Sequence, residues 1–549
     1  MNRNLLCLLV AGIFSLFSAV AQGDYPTNKE VEQRLQKLSS SGNAKLISLT
    51  KTEGGQDIWA LQLGKGDLEN KPAIAITGGT EGYHLLSVEL ALQVAERILK
   101  NHPELLETTT FYVFPNMSPD AYSQYFSKIR YERRGNAVKI DQDRDGKVSE
   151  DGYEDLNGDG LITMVRVESP LGRKIEHGKE ARILVDSENG IRGGKRYLTF
   201  SEGIDNDKDE KYNEDPEEGI AFNKNMTYQF PVFEPYAGDF PVSQKESRAL
   251  LDFLYERWNI FAFVSFSPAN NLSAPLKFTK SEADKRIVTS MLEKDVEINK
   301  MVSDLYNETI PQKAYKQENQ GTPGDFFQWA YFHFGRLSFS TPGWWVPEMK
   351  TEQVDSTKTE EIKVTPETKE IKVTPETNFL AWAEKENIND VFVPWTKVEH
   401  PGFLEKTVEV GGIKPFVMKN PPYRMVDSIA GNHTEFIVEL AKLLPRLEFH
   451  NLKTEKLQGG LTRITVDLFN NSPLPTHSEM GQRSRWLQKL QVSLNKDKKD
   501  ILAGNTIKLL DKLGAYEKQT LSWIVQGNGN AVLKVGAPHT GYATTRVNL

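Results

Sequence analysis

The first part of the chain alternates short apolar runs with amphipathic segments, a pattern typical of an α/β fold. Residues 27–38 predict a helix, because Thr27 and Glu30 have the spacing of a capping box at its start. Buried strands are predicted at residues 73–77, 111–114 and 260–266, and helices at 88–99, 433–444 and from the cap at Ser243 to residue 255. Strands that alternate with helices predict a mixed, mostly parallel sheet flanked by helices. We place this α/β domain at residues 25–447.

Beyond residue 447 the pattern changes to short runs of alternating apolar and polar residues, separated by turn residues. These runs occupy residues 461–469, 491–494, 506–510, 519–525, 531–535 and 543–547. Strands of this length and spacing predict a C-terminal β-sandwich over residues 448–549.

A tandem repeat separates two globular parts of the α/β domain. The sequence EIKVTPET stands at residues 361–368 and again at 370–377. A repeat this polar cannot bury a core, so we predict an exposed, mobile loop over residues 351–377.

The N-terminus has the features of an exported protein. Arg3 supplies a positive charge, residues 5–17 are apolar, and Ala19-Val20-Ala21 gives a small-x-small cleavage pattern. We predict a signal peptide over residues 1–21 and a periplasmic or extracellular location. The alternative, a membrane anchor, is disfavoured because the apolar run is short for a span. Cys7, the only cysteine, lies inside this segment, so no disulfide is expected after cleavage.

Length and charge narrow the functional classes. The 549 residues suggest two or three domains. The net charge of −8, with acidic and basic residues interspersed, argues against a nucleic-acid-binding protein. No later segment is apolar for long enough to span a membrane.

Several short patterns place polar residues beside the predicted strands. The strand at 73–77 leads through Gly78-Gly79-Thr80 into Glu81-Gly82-Tyr83-His84; NMSPDA stands at 116–121; Arg130, Arg133 and Arg134 follow; and Asn223-Lys224-Asn225 precedes FPVSQKESRAL at 240–250. Together these patterns resemble the zinc carboxypeptidases of the carboxypeptidase A-like family, over roughly residues 25–447.

The resemblance implies a role for each motif. In that family, His-x-x-Glu after the glycine turn supplies two zinc ligands; here Glu81 and His84 stand in the swapped order. Arg133 is the closest match to the arginine that polarises the scissile carbonyl. Asn223 and Lys224 match the pair that grips the terminal carboxylate of the substrate, with lysine in place of the family's arginine.

Two further positions depart from the family pattern. The third zinc ligand should be a histidine at the end of the strand near residues 264–267, which read Val-Ser-Phe-Ser. The catalytic glutamate falls near Gly343, and no acid lies between residues 336 and 346. A catalytic zinc needs three protein ligands and a base for its water. We therefore expect a degenerate site, with a rearranged zinc site and a shifted alignment as the alternatives.

A second set of acidic residues predicts calcium, or a similar hard cation. Acids recur at identical offsets in two loops, and a third DLNGDG loop lies between them. Oxygen ligands at alternate positions are what calcium requires. The candidate ligands are Asp141, Asp143, Asp145, Glu150, Asp151, Asp155, Asn157, Asp159, Asp205, Asp207, Asp209, Glu214 and Asp215. The alternative is a set of acidic surface loops.

Three functions remain open from the sequence. The first is a catalytically degenerate protein that binds peptides or peptidoglycan-derived fragments, with Arg133, Asn223 and Lys224 holding a carboxylate. The second is an active metallocarboxypeptidase that removes C-terminal residues with a rearranged zinc site at Glu81 and His84. The third is a structural or adhesive module in which the β-sandwich does the work. The sequence fixes neither the ligand nor the oligomeric state.

Overall fold

The computed structural model describes residues 24–141, 146–187, 194–311, 319–349 and 373–549. Its α-helices are α1 (Asn28–Ser39), α2 (Leu85–Asn101), α3 (Leu105–Thr108), α4 (Pro119–Tyr122), α5 (Lys245–Tyr255), α6 (Lys280–Ala283), α7 (Glu293–Thr309), α8 (Phe326–Phe332), α9 (Pro375–Lys385), α10 (Val426–Lys442) and α11 (Glu479–Ser484).

Its strands are β1 (Ala44–Lys51), β2 (Asp57–Leu63), β3 (Ala73–Thr77), β4 (Thr110–Phe114), β5 (Met164–Glu168), β6 (Lys174–His177), β7 (Glu180–Asp186), β8 (Tyr197–Ser201), β9 (Ile260–Phe266), β10 (Leu337–Thr341), β11 (Phe392–Val398), β12 (Val408–Ile413), β13 (Leu447–Leu457), β14 (Leu461–Asn470), β15 (Leu490–Leu494), β16 (Ile501–Ala503), β17 (Ile507–Leu510), β18 (Lys518–Gln526), β19 (Asn530–Ala537) and β20 (Gly541–Asn548).

Some sequence predictions fall outside the described residues. These are the signal peptide at 1–21, the calcium candidates Asp143 and Asp145, and the repeat loop from 351 to 372. The last residues assigned to that loop belong instead to α9, which begins at Pro375 behind a capping box formed by Thr374 and Thr377. Within the described ranges, no helix combines the length and the apolar character needed to cross a bilayer.

A six-stranded mixed sheet forms the centre of the α/β domain, in the order β1-β2-β4-β3-β9-β10. β1, β2 and β4 pair antiparallel, whereas β4, β3, β9 and β10 run parallel to one another. These four parallel strands are buried along their whole length, as expected when helices cover both faces. The predicted mixed, mostly parallel sheet flanked by helices is confirmed.

Side chains along β3 alternate between the two faces of this sheet. Ile74 and Ile76 belong to the core packed under α2 and α10, whereas Ala73 and Ala75 belong to the core packed under α5 and α8. The carboxyl ends of the parallel strands therefore emerge between two layers of helices, where α/β proteins usually bind ligands.

All four predicted helices are present, as α1, α2, α5 and α10, but most of their first and last residues differ from the predicted ones. The capping box of Thr27 and Glu30 is present at the start of α1, which confirms that prediction. The predicted cap at Ser243 is wrong: Gln244 is the N-cap of α5, and the Ser243 hydroxyl accepts a hydrogen bond from Asn225 at 2.9 Å. α10 begins at Val426, seven residues earlier than predicted. The prediction began too late because Gly431 interrupts the apolar pattern of the sequence, although the helix continues through it.

A second six-stranded sheet, antiparallel throughout, has the order β11-β12-β5-β8-β6-β7. The sequence did not predict it. Arg166 lies at its centre, with its guanidinium 4.8 Å from the ring of Tyr197, 4.4 Å from the ring of Trp395 and 2.8 Å from a carboxylate oxygen of Glu409. Because β5 follows one acidic loop and β8 precedes another, this sheet fixes both loops.

The C-terminal part contains two four-stranded antiparallel sheets, β13-β14-β18-β16 and β17-β15-β19-β20. Each of the six predicted strands is present, with both ends within two residues of the predicted ends. The alternating apolar side chains of both sheets meet in one core around Trp523, which confirms the predicted β-sandwich. β13 and β16 were not predicted, because β13 is mostly exposed and β16 has only three residues.

Candidate functional site

The turn after β3 carries Glu81 and His84. Gly78 is needed at this turn, because a Cβ there would lie 2.3 Å from the carbonyl oxygen of Ser87 on α2. The backbone N–H of His84 donates to the carbonyl of Glu81 at 3.0 Å, so the two residues are the ends of one tight turn. Strand, glycine turn and helix therefore hold both side chains at the carboxyl edge of the central sheet.

The imidazole of His84 is buried, with 3% of the residue exposed. Its Nε2 lies 3.1 Å from the carbonyl oxygen of Pro342. Because a carbonyl can only accept, we assign the proton to Nε2, which leaves the lone pair on Nδ1. Nδ1 is buried and has no hydrogen-bond partner in the described part of the chain. Burial lowers the pKa of His84 to about 4, so the ring is neutral at pH 7.

Glu81 is half-buried, and its Oε1 accepts a hydrogen bond from Asn223 Nδ2 at 3.1 Å. Asn223 Oδ1 accepts in turn from the backbone N–H of Phe326, at the start of α8, at 2.9 Å. Burial raises the pKa of the Glu81 carboxyl, because it penalises the charged form. The amide of Asn223, predicted to bind a substrate carboxylate, therefore links Glu81 to α8.

Lys224, the partner of Asn223 in the predicted carboxylate-binding set, points elsewhere, as does the neighbouring Asn225. Lys224 Nζ donates to the carbonyl of Pro235 at 3.2 Å and lies 3.6 Å from a carboxylate oxygen of Glu234. Asn225 donates to the carbonyl of Ala237 at 2.9 Å. Both side chains thus brace the loop that follows them, and neither has a hydrogen bond to Glu81 or His84.

The two adjacent arginines, Arg133 and Arg134, have different surroundings. Arg133 donates from Nε and Nη2 to the carbonyls of Gly135 and Asn136, at 3.0 and 2.6 Å, so its guanidinium holds its own loop. Arg134 is exposed, and its guanidinium lies 6.0 Å from the ring centre of Tyr236. Arg134 is also the first of the cations that oppose the rise in the pKa of Glu81. The family resemblance favoured Arg133, although no local sequence signal distinguishes two adjacent arginines.

A serine and a glycine occupy the positions expected for the third zinc ligand and the catalytic base. Ser267 Oγ lies 2.8 Å from Ser340 Oγ, so its hydroxyl is paired inside the sheet edge. Gly343 has φ of 77° and its N–H donates to Thr341 Oγ1 at 3.1 Å. A Cβ at Gly343 would lie 2.4 Å from Leu90 Cδ1 on α2. The structure therefore fits glycine at this position and leaves no room for an acidic side chain.

The donors near Glu81 and His84 do not form a zinc site. Among the described residues, the group of three His, Asp or Glu donors within 4.8 Å of one another is Asp205, Asp207 and Asp209. Glu81 and His84 belong to no such group, and each already bonds to another part of the chain. A catalytic zinc requires three protein ligands, so the residues present do not fit it.

Asp325 is a buried acid at the end of a Gly-x-x-x-Asp pattern over residues 321–325. It is the N-cap of α8 and accepts from the N–H groups of Thr322 and Gln328, at 2.7 and 2.8 Å. Burial, with a smaller contribution from the nearby Glu81 carboxylate, raises the pKa of Asp325 to about 8. The pattern thus serves to start the helix whose first N–H fixes Asn223.

A cavity of about 450 Å³ opens beside His84. Its walls are mainly apolar and aromatic, and they come from the turn at residue 83, the segment after β10 and the loop before α10. Its lining includes the side chains of Tyr83, His84, Pro268, Trp344, Asn378 and Met418. The sequence contained no signal for this cavity, because its walls are far apart in the chain.

The candidate calcium ligands lie in three described loop segments. Asp141 accepts from the N–H of Gly146 at 2.9 Å. Asp155 accepts from Gly158 and Gly160, both at 2.8 Å, while Asn157 and Asp159 bond within the same loop. Asp205 and Asp207 likewise accept from backbone N–H groups of their own loop. These bonds hold the acids in tight turns.

The two loops with matching offsets pair with each other. The N–H of Asp215 donates to the carbonyl of Asp151 at 3.2 Å, in an isolated antiparallel bridge. Both residues are fully buried. The adjacent Glu214 has both carboxylate oxygens buried without a hydrogen-bond partner in the described chain. Burial, together with the carboxylate of Asp151, raises the pKa of Glu214 to about 8.

Comparison with protein families gives two matches. A model described as zinc carboxypeptidase matches residues 31–380, more than half of the chain. A model described as a domain of unknown function matches residues 446–548, the predicted sandwich. A search of curated proteins found no match.

Solved carboxypeptidase structures are similar at low identity. Bovine thrombin-activatable fibrinolysis inhibitor, in complex with tick carboxypeptidase inhibitor, is 16% identical with a TM-score of 0.36, over 58% of this chain and 85% of that one. The carboxypeptidase A of Helicoverpa armigera is 14% identical with a TM-score of 0.36, over 58% of this chain and 63% of that one. The metallo-carboxypeptidase of Burkholderia cenocepacia is 12% identical with a TM-score of 0.30, over 57% of this chain and 58% of that one. This chain therefore spans less than two thirds of the last two proteins.

Proposed function

The chain belongs to the zinc carboxypeptidase family, and from that premise we propose that it is a catalytically degenerate member. It binds peptides or peptidoglycan-derived fragments at the carboxyl edge of the central sheet, without hydrolysing them. Zinc is the metal expected for the family, so the proposal depends on the state of the zinc-binding positions in this chain.

The observation that carries the proposal is the bonding of Glu81 and His84. Glu81 Oε1 bonds to Asn223, and His84 Nε2 bonds to the Pro342 carbonyl. No third His, Asp or Glu donor joins them in the described chain, and Gly343 stands where a base is required. Peptide hydrolysis by this family's chemistry needs three ligands and a proton acceptor together.

Ligand binding at this edge is supported by what remains accessible. Glu81 is only half-buried, Arg134 is exposed, and the cavity beside His84 is large enough for a side chain. Arg133, Asn223 and Lys224 remain the proposed carboxylate-binding set. We add Arg134 to it, since its guanidinium has no hydrogen bond to hold it within the described chain.

Metal analysis and peptide assays on the same protein test this function. The purified mature chain, after calcium removal, is incubated with zinc, passed through a desalting column and analysed for bound metal. Peptides with free and amidated C-termini are then assayed for release of C-terminal residues by mass spectrometry, and for binding by calorimetry.

We expect substoichiometric zinc, no release of residues, and binding that prefers the free carboxylate. Glu81→Gln combined with His84→Gln should leave the zinc content unchanged. Stoichiometric zinc that this double variant loses, together with release of C-terminal residues, would establish the second function, an active metallocarboxypeptidase with a rearranged site. Failure of all peptides to bind would contradict the binding role.

We further propose that the paired acidic loops bind calcium or a similar hard cation. Asp205, Asp207 and Asp209 bring one carboxylate oxygen each within 4.8 Å of the others. Glu214 adds two buried oxygens that lack hydrogen-bond donors, beside Asp151. Like charges this close are costly unless a cation lies between them, and carboxylate oxygens are the ligands calcium prefers.

We also propose that residues 1–21 act as a signal peptide that directs export to the periplasm or the exterior. Cell fractionation of the full chain should find the protein outside the cytoplasm with a mature N-terminus at Gln22. Deleting residues 2–21 should retain it in the cytoplasm, and an unchanged location would contradict the proposal.

A further inference from the structure

We propose that Glu218 is a positioning residue for Arg134, and that it holds the guanidinium where the carboxylate of a bound peptide can reach it. This inference rests on the proposed function, which assigns Arg134 to the carboxylate-binding set. It adds to that site a buried acid that acts only through the arginine. Two sets of hydrogen bonds to the Glu218 carboxylate carry it.

The first set fixes the backbone of Arg134. Glu218 Oε2 accepts from the backbone N–H of Arg134 at 2.6 Å and from that of Gly135 at 2.9 Å. Glu218 is buried, with 3% of the residue exposed. Backbone N–H groups that converge on a carboxylate oxygen form strong hydrogen bonds. The carboxylate therefore fixes the point of the backbone from which the Arg134 side chain extends.

The second set fixes the ring beside the guanidinium. The hydroxyl of Tyr236 forms a hydrogen bond with the Glu218 carboxylate. Burial, together with that carboxylate, raises the pKa of the Tyr236 phenol, so the phenol keeps its proton and donates. The guanidinium carbon of Arg134 lies 6.0 Å from the centre of the Tyr236 ring, within range of a cation–π contact. One carboxylate thus orients both the backbone of Arg134 and the ring that its guanidinium faces.

The chain around Glu218 is closely paired with the chain that follows Arg134. The N–H of Asn136 donates to the carbonyl of Ile220, and the N–H of Gly219 donates to the carbonyl of Asn136, both at 2.9 Å. A Cβ at residue 135 would lie 2.2 Å from the carbonyl oxygen of Gly219, so only glycine allows this approach. Glu218 therefore cannot shift without moving the arginine segment.

The chain before Arg134 is held by the region that carries the acidic loops. Arg130 forms an isolated parallel bridge with Leu161, directly after the DLNGDG loop. The rings of Tyr131 and Tyr153 have their centres 4.8 Å apart. Both flanks of the arginine are thus anchored, and Glu218 provides the contact at the arginine itself.

An oriented arginine distinguishes a carboxylate from an amide. Its planar guanidinium donates two parallel N–H groups to the two oxygens of a carboxylate, whereas an amide offers one oxygen and an NH₂ group that cannot accept. A side chain that is already oriented also loses less conformational freedom when it binds. Loss of Glu218 should therefore weaken binding of a free C-terminus more than binding of an amidated one.

The test compares one peptide with and without its carboxylate. Binding of Gly-Gly-Leu and of its C-terminal amide to the full mature chain is measured by calorimetry. The variants are Glu218→Gln, Tyr236→Phe, which keeps the ring, Arg134→Gln, and the control Glu217→Gln at the adjacent exposed acid. The readout is the ratio of the two affinities, because a change in the folded fraction alters both affinities equally.

We expect the wild-type protein to bind the free acid at least about tenfold more tightly than the amide. Glu218→Gln should lower this ratio about threefold or more, Tyr236→Phe should lower it by less, and Glu217→Gln should preserve it. Arg134→Gln should lower the ratio most. Adding Glu218→Gln to Arg134→Gln should lower it no further, because Glu218 acts through the arginine.

Hydrogen–deuterium exchange followed by mass spectrometry gives a second readout that needs no peptide. Glu218→Gln should speed exchange in fragments that contain Arg134 and Gly135, and Glu217→Gln should not.

An affinity ratio or an exchange rate that Glu218→Gln leaves at the wild-type value would overturn the inference and leave the proposed function intact. Equal affinities of the wild-type protein for the acid and the amide would contradict the proposed carboxylate binding, and the inference with it.

Discussion

Asp295 Oδ2 accepts the backbone N–H of Met480 at 3.0 Å, although the two residues are 185 positions apart. Its other oxygen accepts from the N–H of Glu479 at 2.8 Å, and the hydroxyl of Tyr331 donates to Oδ2 at 2.8 Å. One buried carboxylate on α7 thus holds the first turn of α11, a helix inserted between strands of the sandwich. The two folded parts are joined by hydrogen bonds that water cannot replace.

Removing that carboxylate should weaken the whole chain. Asp295→Ala leaves three donors, two of them in buried hydrogen bonds, without an acceptor, and we expect it to lower the free energy of unfolding by about 3 kcal/mol or more. The exposed Asp304→Ala, on the same helix, should change it by less than about 0.5 kcal/mol. Chemical denaturation followed by tryptophan fluorescence measures both. Equal stabilities of the two variants would show that the junction does not depend on Asp295.

The glycine at the expected base position should resist any side chain. Gly343→Ala forces a left-handed backbone on alanine and places its Cβ against Leu90. We expect a loss of about 2–4 kcal/mol. Gly459→Ala has a similar φ of 78° but open space around its Cβ, so it should lose only about 1–2 kcal/mol. Thermal unfolding of the pair isolates the packing cost, and equal losses would mean that α2 moves to make room.

The parts of the fold that could be predicted are those with a strong local pattern. β3 and β9 are continuous apolar runs, and the sandwich strands alternate cleanly. The second sheet escaped prediction because strands such as β6 and β7 are mostly partly exposed and carry several charged residues, so no hydrophobic period marks them.

The candidate site could be located from sequence but not completed. The glycine turn gave the position of Glu81 and His84, yet the bond from His84 to the Pro342 carbonyl spans 258 residues and depends on how β10 ends beside β3. The different surroundings of Arg133 and Arg134 were likewise beyond the sequence. Two carbonyls of the following turn accept hydrogen bonds from Arg133, and only the folded backbone brings them to it.

Acidic pH should destabilise the protein through its buried histidines. Burial lowers the pKa of His433 and His477 to about 4, below the usual value near 6.5 in an unfolded chain. Between pH 6.5 and pH 4 the unfolded state therefore binds more protons, so the free energy of unfolding falls as the pH falls. Each histidine contributes at most about 1.4 kcal/mol per pH unit in this window.

Unfolding midpoints measured from pH 7.5 to pH 4.5 check this dependence. His433→Gln and His477→Gln should each reduce the slope, because each removes one of the buried histidines whose pKa is lowered. A slope that neither buried variant alters would mean that other groups, or an earlier loss of structure, control the acid response.

Calcium should stabilise the chain through the paired acidic loops. At a free calcium concentration of 100 times Kd, a ligand that binds only the folded state adds about 2.7 kcal/mol. After treatment with a chelator, the unfolding temperature should rise on addition of calcium, and far less on addition of magnesium. Asp209→Asn and Glu214→Gln should remove this rise, whereas Asp497→Asn, an exposed acid outside these loops, should preserve it.

The same loops allow a stricter test, because the effect of Glu214→Gln should change sign with calcium. Without the ion, the substitution removes one of several crowded carboxylates and should raise the unfolding temperature, since burial and Asp151 already raise the pKa of Glu214. With calcium present, it removes a ligand and should lower that temperature relative to the wild-type protein. A substitution that stabilises equally in both conditions would show that the loops are acidic turns held by their own hydrogen bonds.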